Sequence, residues 1–223
     1  MPVTAVDFAS LLCSRLCHDL LSPVGALNNG LELLADETDP AMRARVTELL
    51  HESARASAAK LKFFRLAFGA GGGFGELVDV REARAAIEAL LADAKRTELG
   101  WLIEDDQLPK AAIKVLLNLA LIANEALVRG GKLDIGAEVN GEGDAAMVEI
   151  VIRIEGPRIL LDSGISAVLT GGEGGEPITS RTAAALMVHN IVASGGGRVL
   201  VSASDEPVTV FGATFRAGMP SAE

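Results

Sequence analysis

Between Gly69 and Gly75 five of seven residues are glycine, with only Ala70 and Phe74 interrupting the run. A helix or strand carried through it would lose roughly 0.5–1 kcal/mol at each glycine relative to alanine, so regular structure must stop there. The chain is therefore expected to fold as two units, residues 1–70 and residues 71–223. The hydrophobic pattern differs on the two sides of this break.

On the N-terminal side, apolar or small residues recur at Ala9, Cys13, Leu16, Leu20, Val24, Leu27, Leu31 and Leu34. Alternating steps of three and four predict a helix with one packed seam. After Asp36-Glu37-Thr38-Asp39-Pro40 a second helix is expected, with Asp39 as N-cap and Pro40 at the first helical position. Its seam runs through Val46, Leu49, Leu50, Ser53, Leu61, Phe64 and Phe68. A two-helix hairpin is too thin to bury both seams, which predicts that two chains join as a four-helix bundle, a homodimer.

Beyond the glycines the pattern alternates between helical and strand periods. Strands are expected near Leu77–Val80, Trp101, Leu133–Val139, Met147–Ile154, Arg198–Ala203 and Val208–Arg216, with helices near Arg81–Thr97, Leu108–Val128 and Ile178–Ser194. Interleaved elements of this kind predict an α/β sandwich with helices on one sheet face.

Composition excludes several roles. The longest apolar stretch, Val115 to Val128, is broken by Asn118, Asn124 and Glu125, so no run reaches the roughly 18 residues that span a bilayer. The first residues carry no basic segment followed by an apolar one and a cleavage site, and a cytoplasmic location is expected. A formal charge of −10 leaves no basic face for nucleic acid or an acidic membrane surface. The charge is uneven: residues 1–68 hold 7 basic and 8 acidic side chains, and the rest hold 13 and 22. Cys13 and Cys17 lie one helical turn apart, which suits core packing rather than a disulfide framework or zinc.

The chemistry is concentrated in Arg15-Leu16-Cys17-His18-Asp19-Leu20-Leu21-Ser22-Pro23. At about 100° per residue, His18 projects nearly opposite the seam, toward water. An acid follows it directly, and Pro23 interrupts an otherwise continuous helix although an interior proline costs about 3 kcal/mol. His51 and His189 have neither feature.

This His-Asp-x-x-x-Pro string resembles the phosphoacceptor box of sensor histidine kinases, in which a dimeric helical bundle precedes an ATP-binding α/β sandwich. Together with Phe64-Arg65-Leu66-Ala67-Phe68-Gly69-Ala70 at the end of the second helix, it is most similar to the ChpT-type histidine phosphotransferases. The resemblance spans nearly the whole chain and implies that His18 accepts a phosphoryl group while Asp19 orients the ring. It also implies a degenerate kinase ATPase-like second domain.

The degeneracy is visible in two places. Val115-Leu116-Leu117-Asn118-Leu119-Ala120-Leu121-Ile122 resembles the kinase helix that presents two asparagines four residues apart, with Ile122 at the second position and Asn124 turned to another face. Ile152-Arg153-Ile154-Glu155-Gly156-Pro157-Arg158-Ile159 resembles the kinase turn that reads adenine through an aspartate; Ile154 stands for that aspartate and Arg158 for a glycine. An aliphatic side chain can neither hold a hard cation nor accept a hydrogen bond. The loop Gly171-Gly172-Glu173-Gly174-Gly175-Glu176 lacks the lysine and threonine of a phosphate-binding loop and is expected to be a lid remnant. Gly195-Gly196-Gly197-Arg198-Val199 and Phe211-Gly212-Ala213-Thr214-Phe215 resemble the turn and last strand of the kinase fold.

The resemblance thus implies a relay without ATP: a receiver domain of a hybrid kinase brings an aspartyl phosphate and Mg²⁺, His18 takes the phosphoryl group, and the receiver of a response regulator removes it. No cofactor of the chain's own is expected. Leu11, Arg15, Ser22 and Gly25 share the outward face with His18, with Ser14 and Leu21 at its border, and this face together with Arg158 is the expected receiver-docking surface. Two other readings stay open at this point: an active kinase with an unusual nucleotide site, and a non-catalytic dimeric adaptor.

Overall fold

A computed structural model describes residues 3–69, 77–92, 97–141, 146–171, 178–202 and 207–216. The first unit is a helical hairpin, α1 (Ala5–Asp36) and α2 (Pro40–Ala67). α1 opens with a reciprocal cap: the Asp7 N–H donates to Thr4 Oγ1 at 3.1 Å and the Thr4 N–H to Asp7 Oδ2 at 3.2 Å. α2 opens as its sequence predicts, with Asp39 accepting from the Met42 N–H at 3.1 Å and Pro40 in the first turn. The tight link between them is closed by Arg43, which donates to the Leu34 and Glu37 carbonyls at 2.9 and 2.7 Å.

Pro23 lies inside α1 without ending it, and its ring is buried. Gly30 lets the helices approach closely, since a Cβ there would come within 2.8 Å of Leu50 Cδ2. Away from the sandwich, the buried residues of the hairpin are Pro23, Gly30 and Val46. Val24, Leu31, Met42 and Leu49 remain exposed.

The second unit is built on five strands, β2 (Thr97–Trp101), β4 (Gly131–Asn140), β5 (Met147–Glu155), β6 (Arg198–Val201) and β7 (Val208–Arg216), in the spatial order β2-β4-β5-β7-β6. β2 runs parallel to β4 and the other pairs are antiparallel. Alternation along β5 sends Val148, Ile150, Ile152 and Ile154 into the core while Glu149 and Glu155 face water. α4 (Lys110–Ala126), α5 (Ser163–Thr170) and α6 (Ala183–Ser194) cover the inner face, and α3 (Val80–Ala92) packs between α2 and α4. This is the two-layer α/β sandwich expected from the pattern.

Several boundaries differ from expectation. The helix expected from Leu108 starts at Lys110, because Gln107–Pro109 forms β3, which pairs antiparallel with β1 (Leu77–Asp79). The helix expected from Ile178 starts at Ala183, after a 3-10 turn at Ser180–Thr182. α5 was not anticipated: eight residues are too few for a helical period, and its start is set by Asp162 accepting from the Gly164 and Ile165 N–H groups. The predicted break at 70 and the loop after Gly171 lie largely outside the described residues.

α4 is apolar on nearly every side and is buried almost throughout, as its central position demands. One hydrophobic core runs from Phe63, Phe64, Leu66 and Ala67 at the end of α2 into α4 and the sheet. Phe64 lies edge-on to Phe63 and stacks on Phe68. Asn118, fully buried on α4, donates to the Ala67 carbonyl at 3.1 Å and the Lys114 carbonyl at 2.8 Å, and so terminates the hairpin from inside the sandwich.

Candidate functional site

His18 stands at the middle of α1 with 82% of its side chain exposed. Asp19, the next residue, is rotated by about 100° toward the interior and is only 18% exposed. His18 Nδ1 lies 3.1 Å from Asp19 Oδ1, a contact that a protonated Nδ1 makes as donor. Nε2, at the far end of the ring, then has its lone pair free and no partner among the described residues.

Asp19 is itself held. Arg15 Nε donates to Asp19 Oδ2 at 2.8 Å across one helical turn, and Lys60 Nζ on α2 donates to the Asp19 carbonyl at 3.2 Å. The same guanidinium reaches through Nη2 to Glu125 on α4. Burial opposes the charge on Arg15, but Glu125 and Asp19 outweigh it and hold the guanidinium above its ordinary value. Burial raises the Glu125 carboxyl, with Arg15 pulling in the other direction.

This corrects the expectation for Arg15. It shares an angular sector with His18 on an isolated helix, yet it is 7% exposed because the sandwich closes over that side of α1 and supplies a carboxylate. Of the other expected surface residues, Ser14, Leu21 and Ser22 are exposed, and Leu11 and Gly25 are half-buried. A Cβ added to Gly25 would meet nothing within 4 Å, so space adjoins the helix there. Cys13 and Cys17 are exposed, contrary to the expected core packing, because they lie on the side of α1 that α2 does not cover.

The kinase-like positions on the sandwich are closed and apolar. Ile122 is 2% exposed, and Ile154 is fully buried between Leu133 and Thr209 on the neighbouring strands. Asn118 faces the end of α2, and Asn124 is turned toward β2, where Thr97 Oγ1 donates to it at 3.5 Å. Arg158 is exposed and makes no ion pair among the described residues; Glu155 is engaged by Arg153 at 2.6 Å, and Asp162 caps α5. The segment after Arg158 lies along the end of α4, with the Leu160 N–H donating to the Ala126 carbonyl at 2.9 Å, next to Glu125. His51 is exposed without a partner acid among the described residues, and His189 is half-buried against Gly171.

Glu125 is the residue that sequence reasoning missed. It interrupts the apolar run of α4 and was read only as evidence against a membrane span, although a carboxylate on so buried a helix is itself a signal for a charged partner.

Residues 80–207 match the family model described as histidine phosphotransferase C-terminal domain. The chain is 36% identical over 214 residues to protein phosphotransferase ChpT of Brucella abortus (strain 2308), covering 93% of this chain and 97% of that protein. It is also similar to a solved bacterial phosphotransferase structure, at 32% identity and a TM-score of 0.81, with 96% of this chain and 98% of that one covered.

Proposed function

Because the chain belongs to the histidine phosphotransferase family, we propose that it relays a phosphoryl group between receiver domains through His18 and does so without ATP. The observation that carries this reading is the pairing of an exposed imidazole with an acid that engages only its Nδ1, which directs the nucleophilic Nε2 outward. A receiver brings its aspartyl phosphate and Mg²⁺. The Nε2–P bond forms in line as the bond between phosphorus and the receiver's carboxylate oxygen breaks, and that carboxylate departs with the electron pair. The proton stays on Nδ1, where Asp19 accepts its hydrogen bond and partly balances the charge on the ring. A second receiver reverses the step.

Ser14, Leu21, Ser22 and the open space beside Gly25 form the surface on which the receiver docks, with Leu11 at its edge and Arg158 on the sandwich supplying a positive charge. Arg15 is removed from that surface and works from below. Two copies of the chain associate through the exposed apolar stripe of the hairpin, and the complex acts in the cytoplasm. Nucleotide has no role, because Ile122 and Ile154 place aliphatic side chains in the core where a kinase needs a cation ligand and an adenine acceptor.

The test is transfer from a panel of phosphorylated receivers to purified protein, read as an acid-labile, base-stable label. Wild-type protein is expected to take the label, and His18→Ala to lose it while keeping its fold and dimer. Label retained by His18→Ala would sink the assignment.

A further inference from the structure

Arg15 is the only charged side chain among the buried described residues, and it is not paired one to one. Its Nε is spent on Asp19 and its Nη2 on Glu125, a residue 110 positions away on another structural unit. The line Glu125–Arg15–Asp19–His18 thus runs from the central helix of the sandwich to the exposed imidazole. Every link is a hydrogen bond: Nη2 donates to Glu125, Nε to Asp19 Oδ2, and His18 Nδ1 to Asp19 Oδ1.

Two physical effects follow from this arrangement. The first is geometric. A carboxylate can rotate about its last bond, but here one oxygen is held by a guanidinium whose own rotation is stopped by a second carboxylate, and the Asp19 carbonyl is held by Lys60. Asp19 therefore presents Oδ1 to the ring in one orientation, and the planar fork of arginine suits this double grip in a way that lysine does not. The second is electrostatic. Arg15 alone would draw strongly on Asp19 and weaken it as an acceptor, whereas sharing the guanidinium with Glu125 leaves Asp19 the stronger acceptor for the ring, where positive charge builds as Nε2 bonds to phosphorus.

We propose that Glu125 and Arg15 are positioning residues for phosphoryl transfer, acting through Asp19 to keep His18 in its Nδ1-protonated form and aimed outward. The inference rests on His18 being the phosphoacceptor. It gives the sandwich a use that does not involve nucleotide: it supplies the far carboxylate that readies the histidine. The link also couples the placement of α4 to reactivity on α1, so any displacement of the sandwich that separates Glu125 from Arg15 loosens Asp19.

A strap that merely joined the two units would change stability without changing the ring, so the experiment reads the ring. Glu125→Gln preserves shape and, at a side chain 40% exposed, is expected to fold. Nitrogen-15 NMR of the histidines should show the Nδ1–H tautomer of His18 depleted toward Nε2–H. Phosphorylation of His18 by phosphoramidate, which needs no receiver docking, should slow roughly tenfold, below the 10²–10⁴ contributed by a group that itself transfers a proton. Arg15→Lys keeps the charge but cannot hold both carboxylates, and it should show the same tautomer shift, which decides the matter should Glu125→Gln fail to fold. Glu125→Asp, one methylene too short to reach, should not restore the rate. A folded Glu125→Gln protein with the wild-type tautomer balance and a phosphoramidate rate within about twofold of wild type would overturn the proposal. His18→Ala in parallel separates the two failures: if receivers still label it the phosphoacceptor assignment is wrong, and if they do not while Glu125→Gln behaves as wild type only the positioning role is wrong.

Discussion

Replacing Leu31 with aspartate should abolish the dimer and leave the single-chain fold standing. Leu31 is 58% exposed, and on the helical wheel of α1 it aligns with Cys13, Leu20, Val24 and Leu27. Leu49, 59% exposed, and Met42, 43% exposed, form the corresponding stripe on α2. Full burial of a leucine stabilises by about 1.5–3 kcal/mol, so covering the exposed three-fifths contributes about 1–2 kcal/mol in each protomer. A symmetric interface loses this twice, about 2–4 kcal/mol, and the two introduced carboxylates add a desolvation cost. Together these amount to at least ~3 kcal/mol, a weakening of association of more than about a hundredfold. Within one chain the same exposed position makes few contacts, and the change should cost no more than about 0.5 kcal/mol. Light scattering behind size-exclusion chromatography measures the first quantity and circular dichroism the second. Leu33→Asp is the control, since Leu33 is just as exposed, at 62%, but lies on the opposite side of α1 beside Glu32, Asp36 and Glu37. A Leu31→Asp protein that remains dimeric at micromolar concentration, or a Leu33→Asp protein that dissociates equally, would refute the assignment of the interface.

Asn118→Asp should cost about 3–5 kcal/mol in urea unfolding, because it faces two carbonyl oxygens with a buried carboxylate and deletes both donated hydrogen bonds. Asn118→Leu should cost less, since it also removes the buried Oδ1 that has no partner among the described residues; equal stability of Asn118→Asp and wild type would mean that the tie between α2 and α4 is not formed. Saturating MgATP should leave the melting temperature unchanged, as a ligand that binds only the native state must raise it, and a clear upward shift would contradict the reading of Ile122 and Ile154.

Much of this was legible in the chain alone, wherever the relevant physics is local or periodic. Asp39-Pro40 marks the start of α2 because a cap and a pre-set φ need no partner beyond the next turn. The alternation of β5 is visible in Met147–Glu155 because neighbouring side chains of a strand point to opposite faces. His18 could be placed in water from helical phase, whereas Ile122 and Ile154 were marked only by residue type, as aliphatic side chains at kinase ligand positions, and the fold buries both. β3 and α5 escaped because three and eight residues carry no measurable period, and their ends are set by a strand partner and a single capping acid.

The surroundings of the histidine were decided by tertiary structure. Helical phase places Arg15 on an angle of α1 but says nothing about what packs there, and the sandwich turned that angle into an interior. Asn118, which the kinase resemblance sets at the first of two asparagine positions, serves the end of α2. Glu125 meets Arg15 across 110 residues of chain, a contact that no local pattern encodes, because it exists only once α4 has been buried beneath the sheet and the end of α2 has been built into the same core.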